Sequence, residues 1–164
     1  MKTLRLSGKE FVVDESAFAV EISWEEWTGD DDAQTAACDA LESNTDNAAL
    51  VVANDGDLTL IGDALSRFSA IILQFPAFTD GRAYSQARLL RDRYGFKGII
   101  QARGDVLCDQ AQFMVRSGFT ALEIGDQETA PFFEALKAFS DFYQTGADGT
   151  RSVFQRRAKP SAAA

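Results

Sequence analysis

Two short stretches carry the residue types from which an anion site is built. Thr79-Asp80-Gly81-Arg82 and Arg103-Gly104-Asp105 each join a glycine, a carboxylate and an arginine beside the expected start of a helix. Free backbone N–H groups at a helix N-terminus hold anions, and a neighbouring arginine adds charge-assisted bonds. Thr79, Gly81, Arg82, Arg103 and Gly104 thus form a candidate oxyanion cradle. The same residues also suit a plain turn, with Thr79 or Asp80 as helix N-cap, Gly81 permitting the bend and Asp105 on the helix dipole. Asp80, Asp105 and Glu123 fall near the ends of three successive strands and offer oxygen ligands for Mg²⁺, although capping accounts for the two aspartates equally well.

Other groups carry two readings each. Arg88, Arg91 and Arg93 sit partly off the apolar stripe of their helix, as a solvated face or as a basic docking surface. Cys108 opens the next helix, where a thiolate is stabilised, but a small buried residue is the commoner role for cysteine. Tyr84, Tyr94 and Tyr143 read as packing residues with a polar end. No G-x-G-x-x-G follows a strand, so the usual dinucleotide fingerprint is missing.

Composition narrows the chemistry further. The chain has no histidine, which excludes a His-based triad, His-ligated zinc and His-ligated haem. Two cysteines, Cys38 and Cys108, build neither a Cys₄ centre nor a disulfide framework, and a reducing cytoplasmic setting is expected. Acid–base work falls to Asp, Glu, Lys, Tyr or Cys. No apolar run approaches the ~20 residues of a membrane span, and the start MKTLRLSGKEF lacks the apolar stretch of a signal peptide.

The net charge of −9 is unevenly spread. From Glu10 to Asp57 every charged residue is acidic; from Arg82 to Arg116 basic residues predominate; from Arg151 to Lys159 all charges are basic. Such asymmetry fits charge-steered association or, more simply, a solubilising acidic face. The acidic balance (pI ≈ 4.5) and the lack of a recognised motif argue against nucleic-acid binding.

These residues must be positioned by a repeated β-α rhythm. Short strands are expected at Thr3–Leu6, Phe11–Val13 and Val20–Trp24, with Gly8-Lys9 as a turn, then an acidic loop and a helix over Ala33–Leu41. Near-continuous apolar strands follow at Ala49–Ala53, Ala70–Phe75, Gly98–Ala102 and Ala121–Ile124. Helical periodicity lies between and after them, at Leu58–Phe68, Arg82–Tyr94, Asp105–Ser117 and Pro131–Tyr143. Gly95 and Gly118 stop two of these helices. The pattern predicts an α/β fold with a mostly parallel sheet, either open and doubly wound or a partial β/α barrel. A single domain over 1–145 is expected, with 1–32 as a β-rich acidic N-terminal segment and 146–164 as a loose basic tail. In parallel sheets ligands bind on the loops after the strands, which is where both glycine-carboxylate-arginine stretches fall.

The stretch FPAFTDGRAYSQARLLRDRYGFKG, followed by GDVLCDQAQFMVRSGFTALEI, resembles a bacterial domain family of unknown function often labelled an oxidoreductase of sulfite reduction. The resemblance covers roughly residues 70–124. It rests on the pattern F-x-x-[FY]-T-D-G-R-x-x-S-x-A-x-x-L-R from Phe75 to Arg91, and on A-x-G-D-V-L-x-D-Q from Ala102 to Gln110. Gln101 stands where that family usually has arginine, and Arg103 where it varies.

The resemblance implies a setting in assimilatory sulfur metabolism, beside sulfite reductase or other sulfate-assimilation enzymes. It adds Ser85, Gln101 and Asp109 to the candidate anion-binding residues. The label implies redox work, yet no flavin, nicotinamide, haem or iron–sulfur motif is readable here, so the cofactor is left open. The expectation is an accessory protein that binds a sulfur oxyanion or docks on a redox enzyme through Arg88, Arg91 and Arg93. The alternatives are a cofactor-dependent reductase with Asp80 or Asp105 as acid–base group, and an interaction module without a small-molecule site.

Overall fold

The computed structural model describes residues 2–7 and 10–157; the Gly8-Lys9 turn and residues 158–164 of the tail lie outside the described residues. The chain opens with β1 (Thr3–Ser7) and β2 (Glu10–Asp14), an antiparallel pair in which Leu4 faces Val13. Five parallel strands follow: β3 (Val20–Ser23), β4 (Ala48–Val52), β5 (Ala70–Phe75), β6 (Ile99–Gly104) and β7 (Ala121–Glu123). β1 joins the edge of β7 antiparallel, and the seven strands run in the order β2-β1-β7-β6-β5-β4-β3.

The parallel strands lie side by side in chain order, so every crossover steps the same way and its helix falls on the same face. The packing agrees with that. Leu50, Ile71, Leu73, Ile100 and Leu122 share one core with Leu41, Leu90, Met114 and Phe132 from the helices. The alternate residues Ala49, Ala70 and Ile72 form a separate cluster on the other face, covered by Phe18 from the β2–β3 connection. The sheet is thus singly wound, the partial-barrel arrangement of the two expected. Each fully buried Leu, Ile or Phe on the helix face contributes roughly 1.5–3 kcal/mol.

The helices are α1 (Trp24–Thr28), α2 (Asp31–Ser43), α3 (Arg82–Asp92), α4 (Ala111–Ser117), α5 (Thr129–Lys137) and α6 (Val153–Arg157). α1 falls where a strand end and loop are expected. Ser23 and Glu26 form a capping box, each side chain bonded to the other's backbone N–H, and this starts a helix that buries Trp27. Asp30 caps α2 by accepting from Ala33 N–H at 3.0 Å.

Three expected helices are shorter or tighter in the structure. Over Leu58–Phe68 the backbone makes two 3₁₀ segments, Leu58–Leu60 and Gly62–Arg67, separated by Ile61, with Gly62 opening the second in the left-handed region at φ 54°. Leu58, Ile61, Leu65 and Phe68 still reach the core. Over Asp105–Ser117, α4 begins only at Ala111, after a 3₁₀ turn at Cys108–Gln110 in which Cys108 packs partly buried against the core. α5 ends at Lys137, so Phe139 and Tyr143 fall outside it and stand exposed instead of continuing its buried stripe. Beyond, Ser152 and Gln155 cap α6 reciprocally, and Val153 N–H donates to the Phe142 carbonyl at 2.8 Å.

Candidate functional site

The loop from β5 to α3 holds the first of the two stretches. Asp80 accepts from Arg82 through the backbone N–H (3.2 Å), Nε (3.0 Å) and Nη2 (2.7 Å), and from the side-chain amide of Asn54 in the loop after β4. These bonds, those from the Arg82 side chain first, hold the Asp80 carboxyl down at about 2. Arg82 is correspondingly pushed up by Asp80, with Asp55 adding negative charge nearby. An ionised carboxylate so far below neutrality is a poor general base, and the arginine charge intended for an oxyanion already has a partner. For Arg82 to grip an anion, Asp80 must release it.

The second stretch builds the first one's loop. Gly104 sits at φ 107°, and a Cβ there would stand 2.3 Å from the Phe75 carbonyl oxygen, so only glycine fits. That close approach lets Asp105 N–H donate to the same carbonyl at 2.9 Å. The Asp105 carboxylate then accepts from Phe78 N–H at 2.9 Å, and Gln110 donates to the Phe78 carbonyl at 3.1 Å. Tyr84 on α3 reaches Gln110 through its hydroxyl at 3.3 Å. Burial, and then the Asp109 charge, pushes the Tyr84 phenol up to about 12, so it stays protonated as a donor. The Gly104-Asp105…Asp109-Gln110 stretch is a brace that grips the Phe78 peptide from both sides. Thr79, Ser85 and Asp109 are exposed around it.

Gln101 and Arg103 are not part of that loop cluster. Strand alternation turns them to the face opposite the helices, while Ile100 and Ala102 enter the core. Gln101 is buried and donates to Glu123 at 3.0 Å. Arg103 donates through Nε to Glu123 at 2.8 Å and through both terminal nitrogens to Glu21 at 2.7 Å. Glu21 and Glu123 push the Arg103 guanidinium up, and Arg103 in turn lowers the Glu21 carboxyl. The expected cradle is therefore split between the β5–α3 loop and the other side of the sheet. The three carboxylates considered for Mg²⁺ are separately engaged: Asp80 by Arg82, Asp105 by Phe78 and Glu123 by Arg103. Among the described residues no cluster of three metal-ligating side chains occurs.

The arginines of α3 also divide. Arg91, expected to face a partner, turns inward: its guanidinium donates to the carbonyls of Phe96 (2.7 Å), Gly98 (2.9 Å) and Gly118 (3.0 Å), tying α3 to β6 and to the end of α4. Arg88 is outward and paired with Asp92 one turn on, and Arg93 is exposed at the helix end. Beside Arg88 a shallow groove runs between α3 and α4, lined by Tyr84, Ser85, Leu89 and Phe113. Phe113 is 61% exposed, with its ring 4.8 Å from that of Tyr84, and Phe78 and Leu89 are exposed as well. Sequence reasoning passed over this apolar patch. The signal was there, since Phe113 falls between the buried positions Ala111 and Met114 of its helix.

The sequence profile of a family described as "Bacterial protein of unknown function (DUF934)" matches residues 49–154. Neither the comparison with curated proteins nor that with solved structures gives a match.

Proposed function

The chain belongs to this bacterial family of unknown function, and we propose that it is an accessory protein of assimilatory sulfite reduction, which docks on a redox enzyme of that pathway through the outer face of α3 and α4. The setting comes from the resemblance of the FPAFTDGR and GDVLCDQ stretches. The observation that carries docking is the exposed apolar groove of Tyr84, Leu89 and Phe113 between α3 and α4, with Arg88 in its lining. Aromatic residues and arginines are the side chains that dominate protein interfaces, and one patch holding both is a binding surface in composition.

Among the described residues the concave face leaves no room for a ligand: Phe18 and the Arg103–Glu21–Glu123 group lie on it, and the void lined by Thr3, Arg5, Asp14 and Gln101 measures ≈ 20 Å³, about the room of one water, so a small-molecule site on this chain belongs to the loops after the strands. A sulfur oxyanion at Arg82 is the second reading, favoured by the exposure of that guanidinium at the start of α3.

The test is binding of the purified protein to sulfite reductase, with Phe113→Ser and Leu89→Ser as variants. Loss of binding in both, with folding intact, is the expected result. Equal binding by both variants removes this face from the interaction.

A further inference from the structure

The two ends of the molecule carry opposite and complementary surfaces. At one end, the segment after α5 leaves three aromatic rings in solvent: Phe139 is 68%, Tyr143 77% and Phe154 66% exposed. Tyr143 and Phe154 lie 6.1 Å apart. The exposed arginines Arg151, Arg156 and Arg157 stand beside them on and before α6, Arg156 paired with Asp141. This segment is held to the body, not trailing from it. Ala147 N–H donates to the Arg116 carbonyl at 2.8 Å, and the Arg116 guanidinium lies 3.7 Å over the Phe142 ring. Phe139 and Phe142 border Leu6 and Phe11 at the β1–β2 end of the sheet.

At the other end, α1 and α2 pack by β3 and β4 and present Glu25, Asp31, Asp32 and Asp39 to solvent, in a part of the chain with no basic residue. An apolar foothold lies among these carboxylates: Leu60 is 59% exposed, and its carbonyl accepts from the Trp27 indole on α1 at 3.4 Å.

We infer that the aromatic-basic segment at residues 139–157 of one copy docks on the acidic α1–α2 face of a second copy of this chain. Charge complementarity selects the occupant. The segment sets Arg151, Arg156 and Arg157 against Asp141 and Asp148, of which Asp148 is bonded to Arg116 outside it, so it offers cationic groups on a chain of net charge −9, and the α1–α2 end of another copy, where every charged residue is acidic, is a fitting surface. The two surfaces sit at opposite ends of the seven-stranded sheet, so one chain cannot satisfy itself. The contact is head-to-tail, and it leaves a free surface of each kind at the ends of every assembly. It leaves the α3–α4 groove uncovered and does not depend on the proposed function.

Sedimentation of the purified chain tests this. At about 0.01 M ionic strength, where charges reach ~30 Å, the mass is expected to rise with concentration beyond one chain; at about 1 M, where they reach ~3 Å, it falls back to one. The triple variant Arg151→Ser, Phe154→Ser, Arg157→Ser and the double variant Asp32→Asn, Asp39→Asn should each stay single. Mixed in equal amounts they should form a two-chain species and nothing larger, because each supplies the surface the other lacks. Recovery of the pair also shows that both variants are folded. A single-chain wild type at low salt, association unaffected by either variant, or a mixture that fails to pair would each overturn the proposal. A wild type that stays single yet binds heparin through Arg151 and Arg157 would overturn it in favour of a polyanion.

Discussion

Arg103 on β6 grips Glu21 on β3, two hydrogen bonds of 2.7 Å joining strands that have β4 and β5 between them. Register places Glu21 level with Ile99, four residues before Arg103. On a flat sheet their Cα atoms would be about 19 Å apart, from a strand spacing near 4.8 Å and a rise near 3.3 Å. That is further than the two extended side chains reach. The contact exists because the sheet coils, and it fastens the coil across the concave face.

Arg103→Ala should therefore cost more than an ordinary surface change. Glu123 is nearly buried and loses its cation, and Glu21 loses both bonds. A loss of roughly 1.5–3 kcal/mol is expected, the range for hydrogen bonds to charged groups. Urea unfolding should show a lower midpoint with an unchanged slope. A midpoint equal to wild type would mean that the coil is held by Phe18 and strand twist alone.

Acid should weaken the fold in a defined direction. Glu21 is lowered by Arg103, while Asp14 is lowered to about 2, chiefly by hydrogen bonds from Ser16. Groups whose carboxyl is depressed on folding add stability that is complete above the ordinary carboxylate range and lost as pH falls through the folded value. Stability should thus be level above about pH 5 and decline steadily toward pH 2. In Arg103→Ala the decline should be shallower, since Glu21 is no longer depressed; an identical slope would remove that pair from the acid response.

Gly104→Ala tests the brace. The added methyl meets the Phe75 carbonyl and sits at a φ that L-residues avoid, a strain of order 1–3 kcal/mol. In a chain of this size the thermal midpoint should fall by several degrees. Because Asp105 and Gln110 hold the Phe78 peptide, amide exchange at Phe78 should accelerate as well. A stable Gly104→Ala with unchanged exchange would show that the loop is held from elsewhere.

The β-α rhythm, the apolar strands and their core residues were legible in the sequence because burial on both faces, under the helices on one and Phe18 on the other, imposes near-continuous apolar runs. The strand order was not, since a singly wound and a doubly wound sheet use the same runs. Side-chain partners were the harder part. Arg103-Gly104-Asp105 looks like one cluster in sequence, but strand alternation sends Arg103 to the concave face while Asp105 stays with the β5–α3 loop. Arg91 was misread as outward because its reach to three distant carbonyls depends on where Gly98 and Gly118 come to rest. Ser23-x-x-Glu26, by contrast, was a readable helix start, passed over because Trp24 reads as the last residue of the strand before it.

The Asp80–Arg82 pair separates the oxyanion reading from docking. Asp80→Asn keeps the shape but frees the guanidinium, so a sulfite or sulfate site at Arg82 should bind more tightly in that variant and vanish in Arg82→Ala. Arg82 is exposed and Asp80 half-buried, and a pair near the surface contributes little to stability, so folding should be close to wild type in each. Thermal shift with sulfite, sulfate and phosphate reads the result, a ligand at ~100 times its dissociation constant adding about 2.7 kcal/mol. No shift in any of the three proteins would remove the oxyanion reading.

Docking through α3 and α4 predicts a different dependence. Phe113 and Leu89 stand in solvent, so their replacement by serine should leave the unfolding midpoint in place. If they anchor an interface, each loses on the order of 2 kcal/mol of binding, about a thirtyfold rise in Kd for sulfite reductase. Arg88→Ala should act mainly on the association rate and lose its effect at high salt, as rim charges do. Arg91→Ala should instead lower stability, because its bonds hold α3 to β6 and α4. Affinity losses that follow stability across these four variants would mean that the fold, and not this face, is what a partner requires.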